Sequence, residues 1–413
     1  MSLTKVTYSM INGACINALD YGLSTGNTRS ENAAAMLTAI QTAVANNVSL
    51  YVPAGTYLMN PVSYDIQASP AGNYYLKIFG DGQYLNGTRF DFTALTGSEI
   101  GFSFVAAGKP DSLLSCDFCN FMLIGPADHR VTQPTTTVGI YMEECPNSVM
   151  DKVYITEFYQ GFKTSSVYTF RTTDLKITAC YIGYESGLSC YSNHHEHLDV
   201  GTNYCGVHVR GGGGITFATP LLQSCSYPVV VEQQQNTNGL EFINPYFEDS
   251  GSVLVDNFTF DAGIGVAGSP SGAINNVVIS GGVWTSGSGN LINNGGGDIN
   301  NLVLIATPVK NGDFSSYPFR TVSITPSVAD EPSDFYGTTT VGGQINLVAD
   351  SSGTKSGKLL FDGKAFVSSG TGSPEGVVTA PVGSIYMRTD GGAGTSFYVK
   401  QSDPTGNSGW VGK

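Results

Sequence analysis

A short pattern that recurs through the middle of the chain limits its fold more than any single motif does. Val153-Tyr154-Ile155 is followed by Phe158, Gly161 and Phe162. Shifted by 22 residues, Leu175-Lys176-Ile177 is followed by Cys180, Gly183 and Tyr184. Shifted by 23 more, Leu198-Asp199-Val200 is followed by Asn203, Gly206 and Val207. A second series begins with Gly214-Ile215-Thr216-Phe217, Pro220, Leu222-Gln223-Ser224 and Val229-Val230. It returns after 25 residues as Gly239-Leu240-Glu241-Phe242, Pro245, Phe247-Glu248-Asp249 and Leu254-Val255. Asn276-Val277-Val278-Ile279 with Trp284, and then Asn301-Leu302-Val303-Leu304, extend it at intervals of 37 and 25.

Each unit opens apolar-x-apolar, the alternation of a strand. A unit this short cannot bury its inner face alone. Stacking coil on coil buries that face and joins the coils by parallel hydrogen bonds about 4.8 Å apart. The expected fold is therefore all-β: a right-handed, single-stranded parallel β-helix with a constant core and insertions at its turns. The LxxLxL pattern of a leucine-rich repeat is absent, and propeller blades of about 40 residues fit the spacing less well. Asp174, Asn238, Asn275, Asn276, Asn300 and Asn301 stand just before strands. Stacked at one corner, they would form a side-chain ladder and tolerate unusual turn angles.

Composition narrows the partners. The 413 residues carry a net charge of -14, which argues against nucleic acid and disfavours an anionic membrane surface. An acidic glycan remains open, since a few local cations and neutral hydrogen bonds can hold it. No stretch approaches the roughly 18 apolar residues of a membrane span. Residues 1–10 lack the apolar core of a signal peptide, so the chain reads as made in a cytoplasm with no membrane insertion. Cys116-Asp-Phe-Cys119 has no second pair at zinc spacing, and the eight cysteines read as buried thiols. No metal and no cofactor is expected. Arg210-Gly211-Gly212-Gly213-Gly214 lacks the ending of a phosphate loop.

The ends differ from the middle. Ser30-Glu31-Asn32, then Ala33, Met36, Leu37, Ile40 and Val44, predict an amphipathic helix capped by Ser30 and covering the first coil. The expected divisions are residues 1–60 for this N-terminal cap, 61–312 for the β-helix, 313–345 for a linker and 346–413 for a small C-terminal β domain. Strands are expected at 343–348, 358–366, 383–387 and 395–400.

Asn17-Ala18-Leu19-Asp20-Tyr21-Gly22, the Ala-rich helix, Tyr51-Val52-Pro53-Ala54-Gly55-Thr56-Tyr57 and Ile78-Phe79-Gly80-Asp81-Gly82 together resemble the opening of pectate-lyase-like β-helices in bacteriophage tailspikes. The resemblance covers about residues 14 to 310. Gly383-Ser384-Ile385-Tyr386-Met387-Arg388, Phe397-Tyr398-Val399-Lys400 and Gly409-Trp410-Val411 look like the terminal module of phage tail fibres. These likenesses imply a homotrimer on the virion tail, held there with other tail proteins. It would be made in the host and act outside the bacterial cell. It would bind and depolymerise a bacterial surface polysaccharide, a capsule or the O-antigen of lipopolysaccharide.

Alternation places Asp199 outward, with Tyr154, Lys176, Thr216, Glu241 and Val278 expected in the same column. Asp199 and Glu241 would then lie two rungs apart, within side-chain reach of the roughly 6.5–9.5 Å that an inverting glycosidase pair needs. Glu248 ranks first among the acids, followed by Asp249, Glu241 and Asp199. Tyr246-Phe247-Glu248-Asp249 resembles segments of tailspike glycosidases. An aromatic beside an acid offers a sugar-stacking surface and the partial desolvation that suits a general acid. Tyr246, Gln223, Asn244, His195 and Trp284 are the expected substrate contacts. Asn193-His194-His195-Glu196-His197 is expected to be a polar turn. Its other readings are a metal site and a base for lyase chemistry, with Tyr191 or Tyr204 as the acid. Three functions stand: an endo-acting glycoside hydrolase, a polysaccharide lyase using His195 or Lys176 as base, and a non-catalytic glycan-binding fibre.

Overall fold

The computed structural model describes residues 15–66, 72–108, 113–129, 135–231, 237–248, 254–256, 274–284, 292–294, 299–305, 322–325, 358–361 and 365–413. Asp249, the expected strand 343–348 and all of the expected linker except 322–325 lie outside the described residues. The chain divides into two compact units, Met1–Gly297 and Asp298–Lys413.

From Arg171 onward the coils of the first unit carry three main strands each, whereas in the coil before it the single strand Val149–Thr156 pairs with the first two of these. One coil is Arg171–Thr173, Lys176–Thr178 and Ile182–Ser186. The next is His194–Glu196, Asp199–Gly201 and Cys205–Val209. Gly212–Ala218, Leu221–Gln223 and Tyr227–Val231 follow, and then Thr237–Ile243, Tyr246–Glu248 and Leu254–Asp256. Each strand pairs in parallel with its counterpart one coil on, as in Arg171↔His194, Lys176↔Asp199 and Ile182↔Cys205. The unit is thus mostly β, with long parallel sheets built from stacked coils.

The inward positions are those that alternation predicts. Val153, Ile155, Leu175, Ile177, Leu198, Val200, Ile215, Leu222 and Leu240 are all fully buried. Gly161, Gly183 and Gly206 stack on one side, where a Cβ would come within 3 Å of the next coil's backbone oxygen. One interior column is aromatic. His195, Phe217 and Phe242 are in register on successive coils. Their rings stack at 4.8 Å and 5.0 Å between centroids. This corrects the expected polar turn: residues 194–196 form a strand, and His195 points into the core with no exposed surface. Its Nδ1 lies 3.1 Å from Thr172 Oγ1, and burial pushes its pKa down to about 3. A side chain so enclosed cannot touch a glycan, so its expected substrate contact does not hold.

Between the first and second strands of each coil stands one left-handed residue. Asn120, Lys152, Asp174, His197, Thr219 and Asn244 occupy that corner with φ between 47° and 59°. The inserted residue turns the chain while the inward alternation resumes after it, like a bulge. It also splits the expected acid column in two. Tyr154, Lys176 and Asp199 continue into Leu221 and Tyr246. Thr216, Glu241 and Val278 belong instead with Arg171 and His194, on the strand before the corner. The expected polar ladder divides likewise: Asn238 and Asn275 are in register, and Asp174 stands at a different corner.

The helix, α1, spans Arg29–Asn46 and buries Met36, Ile40 and Val44. Its cap is Thr28 rather than Ser30, because Glu31 returns the bond to the Thr28 amide and closes a capping box. In the second unit, Lys358–Phe361, Ala365–Gly370, Ile385–Arg388, Phe397–Lys400 and Trp410–Gly412 form a five-stranded sheet. Phe366, Ala380, Tyr386, Tyr398 and Trp410 are its core.

Phe217→Ala removes the middle of the aromatic column and is expected to cost about 3–5 kcal/mol. A drop in the urea unfolding midpoint reads that loss, and an unchanged midpoint would contradict the column's role. The folded chain keeps His195 neutral where the unfolded chain takes up a proton below about pH 6.5. Stability is therefore complete above that pH and declines as the pH falls toward about 3, by about 1.4 kcal/mol per pH unit from this group. His195→Phe is expected to remove that part of the slope in unfolding midpoints taken at pH 7, 6 and 5. A slope identical to that of the parent chain would show that the histidine is not the cause.

Candidate functional site

The strands that follow the left-handed corner present a strip of outward side chains. Alternation makes Val200, Leu222 and Phe247 face the core, so their neighbours face out. The strip reads Lys176 and Thr178, then Asp199 and Gly201, then Leu221 and Gln223, then Tyr246 and Glu248. All eight lie on four adjacent rungs, and Gln223 and Glu248 are in register.

Lys176 Nζ donates to Asp199 Oδ2 at 2.8 Å. That bond, with the Asp199 charge behind it, raises the lysine pKa against the opposing effect of burial. The ammonium also lies 5.9 Å from the centre of the Tyr154 ring, and Tyr154 Oη meets Thr178 Oγ1 at 2.9 Å. The phenol of Tyr84, on an exposed loop closed by Gly87 N–H donating to Tyr84 O, adds to the field at Lys176. Gly201 leaves a notch in the strip. A Cβ there would lie 3.4 Å from Asp199 Oδ1, in ordinary contact, and its φ is not left-handed. Space rather than backbone conformation distinguishes this glycine.

Asp199 and Glu248 stand two rungs and two residues apart, about 12 Å between backbones. Only side chains turned toward one another across Gly201 and Gln223 would span the roughly 6.5–9.5 Å of two carboxylates working with a water between them, whereas here the Asp199 carboxylate meets Lys176 on the preceding rung. Glu241 is not on this strip. It lies beyond the corner, where Thr216 Oγ1 donates to it at 3.3 Å. Asn244 is itself the corner, at φ 47°. Trp284 is in register with Phe247, and its side chain is outside the described residues, as is all of Asp249. Of the expected residues, then, the fold gathers Asp199, Gln223, Tyr246 and Glu248, and leaves Glu241, Asn244 and the buried His195 elsewhere.

Two groupings were not anticipated. On the third strand of each coil, Glu185 is 3% exposed and surrounded by cations. Lys163 Nζ lies 3.3 Å away, His208 Nδ1 3.4 Å and Arg210 3.6 Å, while Gln160 donates at 2.7 Å. Against burial, the bond from His208 and the Lys163 charge hold the Glu185 carboxyl down at about 2. The signal was present: Lys163, Glu185 and His208 each follow a repeat position, Phe162, Tyr184 and Val207. The second grouping is the exposed pair Tyr168 and Tyr191, 23 residues apart like their coils.

No protein-family description and no curated protein matches the sequence. Solved structures do resemble the fold. An ORF18 protein of Geobacillus virus E2 is 13% identical, with a TM-score of 0.52 over 97% of this chain and 76% of its own. The enzymatically active domain of tailspike protein 2 from bacteriophage CBA120 is 11% identical, with a TM-score of 0.49 over 95% of this chain and 67% of its own. The catalytic unit of a thermostable alpha-1,3-glucanase from Streptomyces thermodiastaticus is 15% identical, with a TM-score of 0.43 over 82% and 70%. At these identities the likeness to the Geobacillus virus protein concerns the fold alone.

Proposed function

We propose that this chain is a phage tailspike that binds a bacterial surface polysaccharide, capsule or O-antigen, and cuts it by glycosidic hydrolysis. The observation that carries the reading is the outward strip on which Asp199 and Glu248 flank the Gly201 notch and Gln223, with Tyr246 alongside. In that role Glu248, next to Tyr246, is the general acid and gives its proton to the glycosidic oxygen as the bond to the anomeric carbon breaks. Asp199 takes a proton from the water that attacks that carbon from the opposite face. Lys176 holds the Asp199 carboxylate in place through its 2.8 Å bond. Asp249 joins the candidates as the residue that follows Glu248.

The same positions weigh against the lyase reading. His195 is buried, and Lys176 is kept protonated by Asp199, so neither named base is poised to abstract a proton. The binding-only reading has one observation in its favour, the Lys176–Asp199 pair, which occupies the carboxylate that would activate water. The sequence resemblance to tailspikes supports a homotrimer on the virion tail with other tail proteins, acting outside the cell. A right-handed winding is the general rule for parallel crossover connections. We take α1 as the cap of the first coil, since it packs on the first strands.

Purified protein given a panel of capsular and O-antigen polysaccharides is expected to release new reducing ends from at least one. On that substrate Glu248→Gln is expected to lower the rate by about 10²-fold or more while binding persists, and Asp199→Asn to act in the same direction. Full cleavage by both variants would remove them from the mechanism. Ultraviolet absorbance from an unsaturated product would replace hydrolysis by elimination, and binding without any shortened product would leave a fibre that only adheres. Light scattering is expected to give three times the 43.5 kDa chain mass, and a monomer mass would end the trimer.

A further inference from the structure

We propose that Tyr168, Tyr191, Arg171 and His194 form a binding site for an acidic sugar residue, a uronic acid or its equivalent, in the polysaccharide. The inference rests on the glycan-acting reading above and adds the charge class of the ligand and a second place on the surface where it is held.

Tyr168 and Tyr191 bridge in parallel on neighbouring coils. Their rings lie 5.8 Å apart and 9° from parallel, and they are 43% and 40% exposed. The stack does not continue onto the next coil. Gly213, in register with Tyr191, has no side chain, because Arg210 is followed by four glycines. The electron-rich face of an aromatic ring attracts the weakly positive C–H groups on the apolar face of a pyranose.

The polar half of the site sits one corner away. Arg171 and His194 are in register, both exposed, and each stands three residues past its coil's tyrosine. Three residues span at most about 10 Å, which an arginine side chain can largely bridge. Among the described residues, neither Arg171 nor His194 has a side-chain hydrogen bond or ion pair. Val149 and His194 flank Arg171 in register, and Thr216 follows His194, so no acid stacks against either cation. On the neighbouring strands and coils, Lys163, Lys176 and Arg210 are paired with carboxylates. In a chain of net charge -14, an exposed arginine left unpaired beside an aromatic platform suits a carboxylate, which a guanidinium can grip with two parallel bonds.

The test uses full-length protein and capsular polysaccharides that contain uronic acid, each paired with its carboxyl-reduced, neutral form. Binding is read by calorimetry and cleavage by new reducing ends. At least one acidic polymer is expected to bind about tenfold or more tighter than its reduced form. Arg171→Gln is expected to abolish that difference, and Tyr191→Ala to weaken both forms. Tyr191→Phe should restore binding, which shows that the ring rather than the fold was lost. Equal affinity for acidic and reduced polymers, or no effect of Arg171→Gln, overturns the site. If neutral polymers are still cut in that case, the hydrolase reading survives its loss. A difference that persists only for phosphate-bearing polymers overturns the carboxylate assignment. Failure to bind or cut any polymer removes both.

Discussion

The parallel hydrogen bonds between coils govern everything else in the first unit. They hold successive strands in register, so a side chain on one coil stands directly over its counterpart on the next. This turns a pattern of about 22 to 25 residues into columns. Inward columns become the core, as in His195, Phe217 and Phe242. Outward columns become surface strips, as in Lys176, Asp199, Leu221 and Tyr246. Neither kind of column exists within any one coil.

That constraint explains what could be read from the sequence. Alternation identified the inward residues because burial acts on every second position. Leu175, Ile177, Leu198, Val200, Leu240 and Phe242 are interior for this reason. The column of Gly161, Gly183 and Gly206 was equally plain, since close approach of the next coil removes any alternative. What could not be read was which series joined which. The unit at Val153 and the unit at Ile215 look alike, both being apolar-x-apolar, yet they stand on opposite sides of a left-handed corner. The corner residues Lys152, Asp174, His197, Thr219 and Asn244 share a conformation but no residue type. An αL residue without a glycine costs about 1–2 kcal/mol, and each is held there by its coil rather than by local preference.

The candidate site suffered from the same ambiguity. Glu241 belonged on the candidate strip only if the two series were one. Asp199, Gln223, Tyr246 and Glu248 remain together because they lie within a single panel. His195 misled for a different reason: three histidines within four residues suggested a wet turn, but strand alternation puts the middle one inside and its neighbours outside. Tyr168 and Arg171 went unnoticed because an exposed aromatic or cation has meaning only beside its stacked neighbour.

The corner at Asn244 is followed, two strands later, by an interval of 37 residues where the coils just before it use 22 to 25, and the register resumes at Ile274–Ser280. The described strands on either side, Leu254–Asp256 and Ile274–Ser280, keep their pairing with the neighbouring coils. A lengthened connection of this kind leaves the paired strands on either side in place. Because the inter-coil bonds fix the panels, the chain can absorb extra length in a connection without moving the columns that its strands build.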